Sequence, residues 1–372
     1  MSGLSGTGLT LRNGADTLSV AANGSFVLPA QLASGASYSI TIGTQPSAPS
    51  QTCGVQNGAG VVGNADVLTI IVVCTTSAST FAYAAVPHTA ADAGVGRLEY
   101  FAFDAATGRQ SLQGGLSAAA DTYVFYVKAR PSGHQLLVSM STLLDQVQNI
   151  SRADLTLYDL STTTGAPTPS RLIASPGGGD LIFHPNGSDL YAPGSTVSHF
   201  SLAPGAAQGQ SLGINVQAGF TSAITPDGKF PFVPNTGQGS DAVPSIAVIS
   251  LADPQRPQLS SKVATPIRPL STTLSLDGKL LYVAPVDAKD LGCVYRVAAL
   301  GGLTPAGTFA TPGYARSGVI TPSGNFLYLA SSDDNKVQGY RLDGTGGITA
   351  SGSGTAVPSA FRLALSPGGQ YL

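Results

Sequence analysis

A glycine-punctuated unit repeats along the second half of the chain and limits its fold more than any other feature. Its clearest copy, Thr321 to Thr349, reads TPSGNFLYLASSDDNKVQGYRLDGTGGIT. A turn centred on Pro322 and Gly324 joins two apolar runs. A polar loop from Ser331 to Asn335 follows, and the alternating run Val337 to Leu342 ends in a second glycine turn. Each run has strand length and alternation, and each gap carries chain-reversing residues. The unit recurs as HPNGSDLY at His184, TPDGKFPFV at Thr225, SLDGKLLYV at Ser275 and SPGGQYL at Ser366. Its turn glycines Gly187, Gly228, Gly278, Gly324 and Gly369 are 41, 50, 46 and 45 residues apart. That period holds four short strands and matches a propeller blade.

Composition agrees with an all-β chain. Of 372 residues, 46 are Gly and 25 Pro, which suits many strands joined by tight turns. Charged residues make up 10%, against roughly 25% in an average globular chain, so Ser, Thr, Asn, Gln and Gly must cover the surface. With a net charge of −2 and no Lys/Arg cluster, the chain lacks the footprint that neutralises phosphates, and nucleic acid is excluded as a partner. The longest apolar stretch, Val67 to Cys74, is far short of the roughly 20 residues that span a bilayer. The opening MSGLSGTG has neither a basic n-region nor an apolar h-region, so the expectation is a cytosolic chain or a native start further upstream.

Residues 1–76 are expected to form a small β-sandwich. Asn13-Gly14 and Asn23-Gly24 are hairpin signals, and LTLR, TLSVAA, SFVLPA and SYSITIG around them read as strands. Cys53 and Cys74 lie in two further strand-like pieces, either as buried thiols or as a disulfide. A small, charge-poor sandwich gains from such a staple, by roughly 3 kcal/mol, and this favours the disulfide and an oxidising compartment. The polar linker TTSAST places a domain boundary at 76/77, and residues 77–372 carry the propeller. FAYAAV and RLEYFAFD resemble second and third strands of a blade, so a strand from the far end of the chain is expected to complete the first one. The count gives six blades' worth of strands, with FRLALSPGGQYL opening a last blade and stopping.

The repeats PDGKxLYV, polar loop and VxxYxLD resemble the lactonase-type seven-bladed propellers related to 6-phosphogluconolactonase and to YVTN surface-protein repeats, from about Phe81 onward. LSVAANGSF, LASGASYSITI, QPSAPSQTC and GNADV resemble an immunoglobulin-like module found ahead of such propellers in bacterial envelope proteins. The resemblance implies a His, one or more Arg and a Glu in a central cleft, the Arg about eight residues before a turn and the Glu about eight after it. Around the turn at His184 those places fall on Gly179 and Ser195, and the only Glu of the chain is Glu99. Lactone hydrolysis needs a base for water and a cation for the oxyanion, so inherited catalysis is left open.

Propeller mouths are built from residues just before each first strand and from loops after each second strand. The first set holds Asp180, Phe220, Arg268, Arg316, Phe361 and Arg362; the second holds Asn235, Asp287, Asp290, Asp333 and Asp334. Such a mixed ring suits a sugar-like or anionic small molecule, although propeller mouths collect polar loops in any case. Asp333-Asp334-Asn335 offers hard oxygens for Ca²⁺ but reads first as a solvated turn, and the histidines show no metal spacing, so neither metal nor cofactor is assigned. No G-x-S-x-G elbow occurs. Two functions follow. The first is a binding or surface-display module, periplasmic, cell-surface or secreted, with an envelope partner or a small ligand. The second is a lactonase-like hydrolase in which Arg316 and Arg362 grip the substrate and an Asp is the base.

Overall fold

The structure, a computed structural model, describes the chain apart from residues 5, 47–50, 77–79, 87–95, 105–107, 119–121, 132, 146–149, 175–179, 204, 207–208, 239–241, 288–290 and 367–368. Every regular element among the described residues is a β-strand. Two compact units separate, Met1–Thr80 and Phe81–Leu372.

In the first unit, Asp16–Val20, Leu9–Asn13, Ser37–Thr44 and Ala59–Val61 form one sheet in that spatial order, and Gln51–Gln56 pairs with Ile71–Thr76 in another. Leu9, Leu11 and Ile40 of the first sheet share a buried cluster with Cys53, Val72 and Cys74 of the second. Cys53 faces Cys74 directly across the strand pair, and their sulfurs are bonded. The hairpin signalled by Asn13-Gly14 forms, with Gly14 and Ala15 as its turn, because Asn13 stays in register opposite Asp16 and its side chain accepts the Ser39 N–H. The one signalled by Asn23-Gly24 does not form, and SFVLPA is not a strand. Asn23 instead bonds both the N–H and the carbonyl of Leu4, which fixes its loop to the chain start.

The second unit is a propeller. Its six sheets among the described residues follow one another along the chain: three strands in blade one (Thr80–Val86, Arg97–Phe103, Gln110–Ser117), then sheets of at least four strands each. The inner strands of blades two to six are Thr122–Ala129, Ile182–Phe183, Ala223–Ile224, Pro269–Leu274 and Ala315–Ile320. Apolar clusters run between neighbouring blades, for instance Leu137 and Leu157 with Leu181 and Phe200. Similar clusters join Tyr282 and Val294 to Leu327 and Tyr340. Strand alternation supplies these faces, since successive side chains point to opposite neighbours.

At one end of the inner strands the repeat is strictly uniform. Gly133, Gly187, Gly228, Gly278, Gly324 and Gly369 all have φ between 66° and 77°. Each donates its N–H to the carbonyl three residues earlier. In each turn that earlier residue in turn donates to the carbonyl five residues ahead, as in Thr321 to Phe326 and Ser366 to Tyr371. Positive φ is why glycine stands there. Successive turns also nest: a Cβ on Gly228 would lie 2.4 Å from His184 Nε2, one on Gly278 2.9 Å from Pro226 Cδ, and one on Gly369 2.2 Å from Pro322 Cδ. The last turn therefore sits beside blade six, while its Tyr371 packs edge-on to Phe103 of blade one at 5.5 Å.

Asp189, paired with His199 of its own blade, reaches Gln255 and forms a buried brace between blades three and four. The Asp189 carboxylate meets His199 Nε2 at 2.8 Å, Asn186 Nδ2 at 2.8 Å and Gln255 Nε2 at 2.7 Å. Burial opposes ionisation of Asp189, but these hydrogen bonds and the His199 charge outweigh it and hold the carboxyl below its ordinary range.

Candidate functional site

The opposite end of the inner strands is the mouth, and it is built from two quasi-equivalent positions. Eight residues before the six turn glycines stand Phe125, Gly179, Phe220, Leu270, Arg316 and Phe361; seven before them stand Tyr126, Asp180, Thr221, Ser271, Ser317 and Arg362. In blades two, five and six the strand register shifts at the first of these positions, which makes Phe125, Leu270 and Arg316 the extra residue of a β-bulge. A bulge turns its residue off the ladder and re-aims its neighbours. Phe220, Arg316 and Phe361, which share the first position in three repeats, come together there.

Arg316 is the centre of the first ring. Its guanidinium lies 4.3 Å from the Phe220 ring, 4.3 Å from Tyr314 and 4.5 Å from Phe361. Two of these rings occupy the same repeat position as Arg316 itself. Such contacts stabilise a cation by about 0.5–2 kcal/mol each, depending on exposure. Arg316 Nε donates to Ser332 Oγ at 2.9 Å, and its two terminal nitrogens make no hydrogen bond to the described residues. Burial lowers the Arg316 pKa, opposed by Tyr314, Asp333 and Tyr126. The side chain is thus fixed through its stem and faces while its two-pronged edge stays open.

Arg362 is spent differently. Nη1 donates to Thr221 Oγ1 and Nη2 to the Phe220 carbonyl, both at 2.7 Å, and the guanidinium lies 4.2 Å from the Tyr126 ring. Asp180, 1% exposed, accepts the Ser222 N–H at 2.5 Å and neighbours Lys128 Nζ at 3.6 Å and Arg362 Nη1 at 4.0 Å. Beneath them the inner strands of blades four to six close on the axis. Phe220 N–H bonds the Leu270 carbonyl, Thr272 N–H the Thr221 carbonyl, Thr221 Oγ1 the Arg316 carbonyl and Ser271 Oγ the Ala315 carbonyl. On this side the inner strands are tied to one another by hydrogen bonds to backbone carbonyls.

Of the expected site residues, Asp180, Arg316 and Arg362 gather with Phe220 and Phe361 in one cluster, and Asp333 is exposed beside it, close enough to act on Arg316. Arg268 and Asp287 form a separate rim pair, 4.0 Å apart, with Arg268 Nε on the Thr236 carbonyl. Asn235 departs from expectation. It is fully buried, accepting from Gln217 and donating to Val243 and Ser245, so it braces its loop and has no capacity for a ligand. Asp334 likewise accepts the Gly313 N–H. Gly179, Asp290 and His88 lie outside the described residues, Ser195 is exposed, and Glu99 pairs with Arg97 on its own strand. Among the described residues no group of three or more His, Cys, Asp or Glu is arranged to hold a metal ion. Tyr126 is the mouth residue that the sequence reading missed, and its place seven residues before Gly133 was the available signal.

A recess of about 460 Å³ lies at the turn end of blade six, lined by Asn325, Arg341 and Asp343. Asp343 is committed there to the N–H groups of Thr345, Gly346 and Gly347.

No protein-family description matches the chain. The periplasmic gluconolactonase PpgL of Pseudomonas aeruginosa superposes with a TM-score of 0.62 at 17% identity, over 78% of this chain and 88% of that one. A Bacteroides uniformis protein described provisionally as a 6-phosphogluconolactonase superposes at 0.55 with 20% identity, over 74% and 85%. The chain has the fold of the lactonase-type propellers. A 6-phosphogluconolactonase of Pectobacterium carotovorum subsp. carotovorum (strain PC1) is 30% identical over 94 residues, 25% of this chain. The chain spans only 28% of that relative's length.

Proposed function

We propose that the propeller mouth binds a sugar lactone and opens it with water. Water adds to the carbonyl carbon, the ring C–O bond breaks, the ring oxygen takes up a proton and a hydroxy acid leaves. Arg316 faces the oxygen that becomes negative. Asp333 is the carboxylate suited to take the water proton, because it is exposed at the rim, whereas Asp180 is buried among cations and a backbone N–H. One observation carries the reading: Arg316 is immobilised by three rings and Ser332 while its terminal nitrogens remain free. A display module has no use for so prepared a cation. The lactonase names among the relatives also support hydrolysis over display alone.

We place this activity outside the cytoplasm, a reading supported by the Cys53–Cys74 bond and by the periplasmic gluconolactonase of the same fold. The test is acid release from a panel of lactones, glucono-δ-lactone and 6-phosphogluconolactone included. The full chain is expected to turn over at least one. Arg316→Ala is expected to lower kcat/KM by about 100-fold, the usual cost of losing one oxyanion donor. Failure of the folded protein to hydrolyse any lactone would leave the binding module as the better account.

A further inference from the structure

Tyr126 stands at the ring position occupied by Asp180 and Arg362 in other repeats, immediately after the bulge of the blade-two inner strand. Its ring packs under Arg362 at 4.2 Å, and its phenol lies within the charge field of Arg362, Asp180 and Arg316. The polar groups around it are mostly committed. Arg362 spends both terminal nitrogens on Thr221 and Phe220, and Asp180 holds the Ser222 N–H and neighbours Lys128. Three groups in this region are left over. The Tyr126 hydroxyl has no hydrogen-bond partner among the described residues, and the buried Ser222 Oγ and Arg362 Nε have none either. Ser222 Oγ and Arg362 Nε are shut off from the mouth, so the Tyr126 hydroxyl is the one of the three that an occupant can meet, and a hydroxyl or ring oxygen is its natural partner. On the other side Arg316 presents an open two-pronged edge, whose geometric match is a carboxylate.

We infer that Tyr126 determines the ligand class of the mouth: its hydroxyl bonds a ligand hydroxyl or ring oxygen while Arg316 takes the ligand's carboxylate, so a sugar acid is preferred to a neutral sugar. The inference rests on the lactone reading, since a sugar acid is what water makes of a sugar lactone, and it implies that product competes with substrate. Burial pushes the Tyr126 pKa up, so the phenol keeps its proton and remains a donor through neutral pH.

The test is calorimetric titration of the full chain with gluconate, glucose and glutarate, the last having carboxylates but no hydroxyls. Gluconate is expected to bind at least tenfold more tightly than glucose. Tyr126→Phe, which keeps the ring over Arg362, is expected to weaken gluconate about tenfold, the effect of one hydrogen bond, and to leave glutarate unchanged. Arg316→Gln is expected to weaken both acids. Wild-type affinity for gluconate in Tyr126→Phe overturns the inference, as does equal binding of glucose or no binding of gluconate by the wild type. A second measurement does not depend on the variant's folding: in wild type with labelled tyrosines, the Tyr126 ring resonance moves with gluconate, and an unmoved resonance overturns the inference. Gluconate binding without turnover of any lactone would sink the hydrolase reading and leave the ligand class standing.

Discussion

The two ends of the inner strands come from the same repeat and have opposite characters. At the turn end, six glycines share one backbone conformation and one pair of hydrogen bonds, and the turns of Gly228, Gly278 and Gly369 nest on the ones before them. At the mouth end, the corresponding positions carry Phe, Leu, Arg, Tyr, Asp, Thr and Ser. Uniformity at one end fixes where the strands start and how they lie against each other. Variety at the other end is then free to make a site, because the scaffold gathers Phe220, Arg316 and Phe361 in one group and Tyr126, Asp180, Thr221 and Arg362 in another. The difference teaches that stability and chemistry are separated along the length of a single strand, as is usual where a rigid frame presents variable groups.

The sharpest way to break that comparison is to damage each end in turn. Gly228→Ala puts a Cβ at φ 77° and 2.4 Å from His184 Nε2, whose ring is held because Nδ1 accepts the Asn186 N–H. The strained backbone and the displaced ring together are expected to cost roughly 2–4 kcal/mol. Denaturant unfolding followed by circular dichroism reads this directly, and a loss below ~1 kcal/mol would show the turn end to be less constrained than described.

Acid sharpens the same contrast at the brace between blades three and four. Asp189 has its folded pKa depressed below 3.8, so it contributes stability that is present above that value and is lost as pH falls through the folded pKa. The melting temperature is expected to drop in this acid range, and Asp189→Asn should flatten part of the drop. An unchanged slope in the variant would remove the brace from the account.

At the mouth, the smallest effect on stability is expected. Arg316→Ala loses three ring contacts and one hydrogen bond at a partly exposed site, roughly 2 kcal/mol at their weakest, and removes the roughly 1 kcal/mol or more of entropy that ordering an arginine costs, so a net loss of about 1 kcal/mol is expected while binding and turnover collapse. Similar losses of stability in Arg316→Ala and Gly228→Ala would erase the distinction between the ends.

This separation also explains how much of the molecule is legible in its sequence. Turn glycines announce themselves because positive φ admits few alternatives, so Gly228, Gly278 and Gly324 set the frame unaided. Counting back from them reaches Asp180, Arg316 and Arg362, three members of the cluster. The roles within that cluster were not legible. Arg316 and Arg362 look alike in sequence, and only the bulge at Arg316 and the partners Thr221 and Phe220 of Arg362 tell the open cation from the committed one. Asn235 reads as a loop residue at the mouth, yet contacts with Gln217, Val243 and Ser245 draw it inside. Asn23-Gly24 carries a hairpin signal, and the distant Leu4 overrides it. In each case a long-range contact outweighed a local preference.

The central claim is that a ligand enters at the convergent ends of the inner strands and nowhere near the turns. Amide chemical-shift mapping of the full chain titrated with gluconate tests it most directly. The account predicts shifts at Tyr126, Phe220, Thr221, Ser317 and Phe361, with Gly187, Gly228, Gly278 and Gly324 unmoved. Shifts concentrated at those glycines, or around Asn325 and Asp343 in the recess of blade six, would contradict it.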